Sequence, residues 1–257
     1  MRYVEASPCA ALAPYVQCYW ALESSGAAPV GVHRVLPDGC LDILVDLTDG
    51  AGPRVVGAMR TAEVVPLSAR ASFVAVRFRP GGAQPFLRLP LLELTDAKVA
   101  LGDLWPREAR EWRERLGAVQ GTAARFALLE RLLLGRLPAQ EGDVGVRRAV
   151  DLILGARGQV PVRSLEEVMG VGARQVERRF HAAVGLSPKV LCRIARLQHA
   201  VELSRELEGA QWALAAGYYD QAHQVREFRA LTGLTPGAYV REQAEVGFVQ
   251  SPEEAGA

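Results

Sequence analysis

The sequence predicts an α+β chain of two domains: a small antiparallel β-barrel-like domain followed by helices, then an all-α domain made of two repeated helix pairs. Three observations predict it. The first hundred residues are short β-branched runs separated by Gly/Pro turns. Helical spacing takes over from residue 106. Toward the end of the chain, a helix, a glycine turn and a second helix occur twice.

The elements follow in order. "YVQCYWAL" (15–22) alternates partially and reads as a strand. "LDILVDL" (41–47) and "SFVAVRF" (72–78) are apolar strands, bounded by the turn sequences "PDG" and "RPGG", and "PRVVGAM" (53–59) is a further strand. Several short strands at such spacing form a small antiparallel barrel or sandwich. Residues 106–120 and 122–137 are helices, with Pro106 in the first turn of one and Gly121 between them. Leu128 and Leu132 widen the apolar stripe of the second helix beyond what one partner helix covers. That surplus serves either an intramolecular seam or a homodimer through Leu128 and Leu132. The polar, Gly/Pro-containing segment 138–145 is a linker. The expected divisions are residues 1–105, β-rich; 106–141, connecting helices and linker; 142–245, helical; and 246–257, an acidic tail.

Beyond the linker, "VRRAVDLILGA" (146–156) is an amphipathic helix. Ser164 with Glu167 three residues on is a capping box that opens the next helix, and Gly170 and Gly172 turn the chain into another from Ala173. "SPKVLCRIARLQHAVELSRE" (187–206) is a joining helix of roughly 18 residues, about 27 Å long. Then the plan repeats: a short helix at 212–216, a turn at Gly217, a cap at Asp220 and a helix to Leu231. Each unit is a helix-turn-helix by sequence.

The second helix of each unit has two unlike faces. Val176 and Phe180 are four apart and share the buried side, while Arg178 lies about 160° and Arg174 about 120° round from Phe180. In the later unit Phe228 is the anchor, Arg226 lies opposite, and Ala222 and His223 flank the outer face. A charged outer face on one helix is usually only a solvated face. Two such helices at the ends of a joining helix are different, because adjacent major-groove segments on one DNA face lie about 34 Å apart. Arginine pairs bidentately with guanine edges and glutamine with adenine, so these faces suit double-stranded DNA.

Charge agrees with that placement. The net charge is only +1, but residues 144–241 hold 14 Lys and Arg against 9 Asp and Glu, whereas residues 1–143 are balanced. The composition, 49% hydrophobic and 23% charged, is that of a globular chain rather than a disordered one. Cys9, Cys18, Cys40 and Cys192 form no CxxC pair and read as free thiols in a reducing compartment. No apolar run reaches the length of about 18 residues that a membrane span needs, and a cytoplasmic location is expected.

Enzyme and metal readings find less support. "HRVLPDGC" brings His33, Asp38 and Cys40 close together, but the spacing matches no standard ligand set and "PDG" reads first as a turn. Neither GxSxG, P-loop nor HExxH is present, so no catalytic residue, metal or cofactor is expected. The alternatives kept open are a DNA-alkyl-repair enzyme and a metal- or thiol-responsive sensor using the N-terminal cysteines.

The motifs "ARQVERRF" (173–180), "VGLSPK" (184–189), "RLQHA" (196–200), "GYYDQAH" (217–223), "REF" (226–228) and "TGLTPGAYV" (232–240) occur in order over roughly 95 residues. This segment resembles the DNA-binding domain of AraC/XylS-type bacterial transcription regulators. "RVLPDGCLDILVDL", "VVGAMR" and "VRFRPGGAQPFL" resemble a less understood domain that precedes it in many such regulators. The resemblance implies a sequence-specific transcription regulator, activator or repressor, whose first domain senses a ligand or mediates dimerisation. It places Arg174, Gln175, Glu177 and Arg178 on the first recognition helix, and Gln221, Ala222, His223, Val225 and Arg226 on the second. Phe180 and Phe228 match the buried anchors, and Pro188 and Pro236 the helix starts. The partners it implies are DNA, a small-molecule effector and RNA polymerase. The chain departs from the pattern by about three residues between Leu165 and Gly170 and by two or three more around 206–217, about one helical turn each. Gln224 also stands about 40° from Phe228, where the pattern has a bulky apolar residue.

Overall fold

The structure, a computed structural model, describes residues 2–25, 31–48, 52–67, 70–205, 212 and 215–246. Six antiparallel strands form the main sheet: β1 (Arg2–Ala6), β2 (Val16–Ser25), β4 (Leu41–Asp46), β5 (Arg54–Val56), β7 (Arg70–Phe78) and β8 (Lys98–Ala100). Their order is β1-β2-β7-β4-β5-β8. A separate two-stranded ribbon pairs β3 (Gly31–Val35) with β6 (Glu63–Leu67). The sheet does not close on itself, since β1 and β8 stand at its two ends.

The alternation of strand side chains gives this sheet two unlike faces. Leu41, Ile43 and Val45 of β4, with Val74, Val76 and Phe78 of β7, point into an apolar core. Helices α3 (Pro106–Ala118) and α4 (Thr122–Leu134) cover it with Trp112, Leu116, Phe126, Leu129 and Leu133. These two helices therefore belong to the N-terminal core rather than to a bare connection. Leu128 is buried in that core and Leu132 packs half-buried against it, so the intramolecular seam takes up the surplus stripe. Between sheet and helices run α1 (Gln84–Leu87), a 3-10 turn at Leu91–Leu94 and α2 (Leu101–Leu104).

The C-terminal part is helical: α5 (Val144–Gly155), α6 (Val162–Met169), α7 (Ala173–Ala183), α8 (Pro188–Leu203), α9 (Gln221–Thr232) and α10 (Pro236–Val246). The expected capping box at Ser164 does not open α6. Pro161, extended at φ −66°, starts the helix at Val162 without a side-chain cap, so Ser164 sits inside the first turn. Asp143, Ser187 and Asp220 cap α5, α8 and α9 by accepting from the backbone N–H three residues on. The short helix expected at 212–216 falls partly outside the described residues.

The joining helix α8 has 16 residues and divides the helical part into two cores. Leu191, Ile194 and Ala195 pack with Val176 and Phe180, while Leu197, Ala200 and Val201 pack with Trp212, Phe228 and Tyr239. Each core also takes one residue from the N-terminal part, Ala58 in the first and Leu36 in the second.

Candidate nucleic-acid interface

Helices α7 and α9 are the second helices of the two units. Each is held from below by an aromatic. Phe180 and Phe228 are fully buried, and Trp212 and Tyr239 meet the Phe228 ring edge-on at 5.9 and 5.5 Å. Truncating such an anchor costs about 3–5 kcal/mol, so each helix is fixed about its own axis. The residues opposite the anchors then face outward. Arg174, Gln175, Glu177 and Arg178 on α7 are exposed, and so are Gln221, Ala222 and Arg226 on α9, while Val225 is half-buried. Arg178 Nη2 donates to Gln175 Oε1 at 2.6 Å, so the pair presents one hydrogen-bonding edge. All of these sit in the N-terminal two-thirds of their helices. Tyr219 is 88% exposed immediately before the Asp220 cap of α9; its place in an outwardly polar turn was the only sequence signal for it.

His223 is placed differently from its neighbours. Its Nε2 stands 3.2 Å from Glu227 Oε2, its Nδ1 is buried without a partner among the described residues, and its ring meets Tyr218 edge-on. Glu227, itself buried, also receives Arg193 Nε at 3.2 Å and Arg196 Nη1 at 3.2 Å, both from α8. Arg196 donates onward to the Gly158 carbonyl. This carboxylate therefore ties α9 to the joining helix and to the end of α5. The helical reading assigned Glu227 no role, although the i, i+3 spacing of Arg193 and Arg196 was the available signal for a shared partner.

The C-terminal ends of both α7 and α9 are held by the N-terminal part. Thr95 Oγ1 donates to the Gly185 carbonyl just past α7 at 2.6 Å. At the end of α9 the Ala62 N–H donates to the Leu231 carbonyl at 2.7 Å and Arg34 Nη1 to the Thr232 carbonyl at 2.9 Å. Arg34 also grips Glu242 of α10 through Nε and Nη2, at 2.9 and 3.1 Å. Gln198 of α8 donates to the Pro37 carbonyl at 2.6 Å. The outward halves of α7 and α9 are thus open, and their inner ends are fastened.

The cysteines and the His33–Asp38–Cys40 trio gain no support as a reactive or metal centre. All four cysteines are free thiols, and among the described residues no group of three His, Cys, Asp or Glu is placed to hold a metal. Burial pushes the Cys18 thiol up to about 12 and that of Cys40 well above its ordinary range, away from the thiolate that reactive cysteines need. Among the described residues no helix is long and apolar enough to cross a membrane.

Comparison with known proteins divides the chain similarly. Residues 165–242 match a family described as a helix-turn-helix domain, and residues 4–100 match one described as a domain of unknown function (DUF6597). No curated protein matches the sequence. Among solved structures, the chain is similar to the C-terminal domain of AraT, a response regulator from Geobacillus stearothermophilus, at 24% identity and a TM-score of 0.36. That match covers 44% of this chain and 94% of that one. It is similar to ToxT from Vibrio cholerae at 11% identity and a TM-score of 0.41, covering 93% of this chain and 97% of that one. An unsaturated fatty acid-bound wild-type ToxT covers 98% of this chain and 96% of its own, at 11% identity and a TM-score of 0.41.

Proposed function

We propose that the chain is a DNA-binding transcription regulator with an AraC/XylS-type helix-turn-helix domain, and that α7 and α9 read bases in two adjacent major-groove segments. Arg174, Gln175, Glu177 and Arg178 form the first reading face, and Gln221, Ala222, Val225 and Arg226 the second. His223 contributes its ring edge and, through Glu227, the setting of α9. Tyr219 and the N-terminal ends of the two helices hold phosphates. The observation that carries this reading is the opposition, on both helices, of one buried phenylalanine and an exposed arginine.

The N-terminal residues 1–105, with α3 and α4 packed on them, regulate this reading by sensing a ligand. The support is the set of hydrogen bonds from Thr95, Ala62 and Arg34 to the ends of both reading helices. Whatever shifts the sheet relative to the helices shifts the readers, provided it binds one arrangement better than another.

The test begins with selection of bound fragments from genomic DNA. Arg178→Ala and Arg226→Ala are each expected to cost about 1–3 kcal/mol on the selected site and much less on random DNA. Equal loss on both would make these residues phosphate contacts. Log affinity should also fall steeply with log salt, as counterions are released from neutralised phosphates.

A further inference from the structure

Between α6 and α9, over the N-terminal part of α8, lies an open cavity of about 290 Å³. Val160, Val162 and Leu165 make an apolar wall on the α6 side. The floor is a stripe of α8: Lys189, Arg193 and Arg196 follow one another at i, i+4 and i+7 and so share one side of that helix. His223 and Glu227 of α9, again four apart, close the other side.

Among the described residues that line it, three cations, Lys189, Arg193 and Arg196, stand against one carboxylate, Glu227. With the His223 ring uncharged, three positive charges against one negative leave an excess of +2. The three cations are not equally engaged. Arg196 is used up: Nη1 donates to Glu227 at 3.2 Å, Nη2 donates to the Gly158 carbonyl at 3.1 Å, and Nε is buried. Arg193 gives Glu227 only its Nε, at 3.2 Å. Its two Nη groups have no partner among the described residues, and the side chain is 33% exposed. Lys189 is exposed and has neither a hydrogen bond nor an ion pair among the described residues. Glu227 thus neutralises Arg196 and steadies the Arg193 fork without filling it. The excess charge rests on Lys189 and on the free edge of Arg193, beside an apolar wall that cannot solvate it. Like charges four apart on a helix repel, and an anion placed between them removes that repulsion.

The place of the cavity decides which anion that is. Val176 and Phe180 of α7 pack on the N-terminal part of α8, and Phe228 of α9 packs on its C-terminal part, so the cavity lies between the two helices. Two adjacent major-groove segments on one face of a duplex are separated by a minor groove edged with phosphates. A duplex that takes α7 in one segment and α9 in the next therefore carries a phosphate strand across this gap. We propose that the cavity seats that strand: Lys189 and the free Nη edge of Arg193 hold one backbone phosphate, and Glu227 is the positioning residue that keeps the guanidinium turned toward it. This rests on the reading of α7 and α9 as groove-entering helices and adds the joining helix to the surface that meets DNA. A phosphate held midway fixes the register of both helices on the duplex and carries no sequence information of its own.

The experiment uses the full chain, with affinity followed against salt on a selected fragment and on random duplex of equal length. Lys189→Gln and Arg193→Gln are each expected to weaken binding by a similar factor on both DNAs. Each should also reduce the slope of log affinity against log salt by about 1. Arg110→Gln removes the same charge from the exposed side of α3 and should leave the slope unchanged. Arg193→Gln disturbs the contact to Glu227; should it fail to fold, Lys189→Glu carries the test, with a larger loss than Lys189→Gln. An unchanged slope for Lys189→Gln, an equal reduction by Arg110→Gln, or a loss confined to the selected fragment would overturn the proposal. Inorganic phosphate, titrated by calorimetry, separates the other source of the same chemistry. Saturable binding of phosphate with an unchanged DNA slope would give the cavity to a small phosphate ligand instead. The slope on random duplex reports on the cavity whether or not selection recovers a preferred site, while Arg178→Ala and Arg226→Ala report on base reading whatever the cavity does.

Discussion

At the scale of single residues, two polar groups stand out by what they lack or hold. Gln224 is buried on α9 four residues before Phe228, and its Nε2 has no partner among the described residues. A buried amide without a partner costs free energy, so Gln224→Leu is expected to raise the denaturant midpoint at constant slope, by an amount on the order of 1 kcal/mol. A lowered midpoint would mean that the amide is satisfied. Asp143 is the opposite case. It caps α5, accepts Arg179 Nε at 2.6 Å, and is held below its ordinary pKa first by that arginine. A carboxyl depressed in the folded chain stabilises fully above its unfolded value and ceases to do so as pH falls through the folded one. The difference in midpoint between the wild-type chain and Asp143→Asn should therefore be constant from about pH 5 to 8 and shrink below about pH 4. A difference that grew in acid would show that Asp143 is not the group being protonated.

At the scale of elements, the setting of α9 depends on one carboxylate, that of Glu227. Glu227→Ala leaves Arg193 and Arg196 facing a vacated site, and is expected to cost about 2 kcal/mol, less than for a wholly buried pair because Arg193 keeps some solvent. It should also blunt DNA selectivity at the half-site read by α9 while sparing the one read by α7; equal losses would mean that the network serves stability alone. How much of this was legible in the sequence depends on the range of the interactions. Strands at 41–47 and 72–78, the anchors Phe180 and Phe228, and the Asp220 cap are local patterns, and each is present. β1, β3 and β6 were missed because five-residue strands of mixed polarity acquire their identity from the strand they pair with. Ser164 misled because a capping pattern has no force when an upstream proline already starts the helix. The outer faces of α7 and α9 could be read from spacing, but the Glu227 network and the grip of Arg34 on Glu242 join residues far apart in the chain, and no periodicity encodes them.

At the scale of the whole molecule, the chain is two folded parts fastened at the inner ends of α7 and α9. A fragment from residue 142 onward is expected to fold and to bind DNA with a steep salt dependence, since Asp143 caps its first helix and both helical cores are built almost wholly from its own residues. Its affinity should differ from that of the full chain, because the fragment lacks Leu36, Ala58 and Arg34 against its helices. Arg34→Ala in the full chain should then move DNA affinity toward the fragment's value; an unchanged affinity would mean that the grip on Glu242 holds the parts together without affecting the readers. One fastening cannot be removed in this way. The bond from the Ala62 N–H to the Leu231 carbonyl is backbone on both sides, so no side-chain replacement deletes it and only a proline at position 62 would. Residues around it can change freely as long as the two stretches of chain stay where they are. A link between the two parts made in this way is inherited with the path of the backbone, not with any letter of the sequence. Two descendants of such a protein could keep the joint while sharing no residue that marks it.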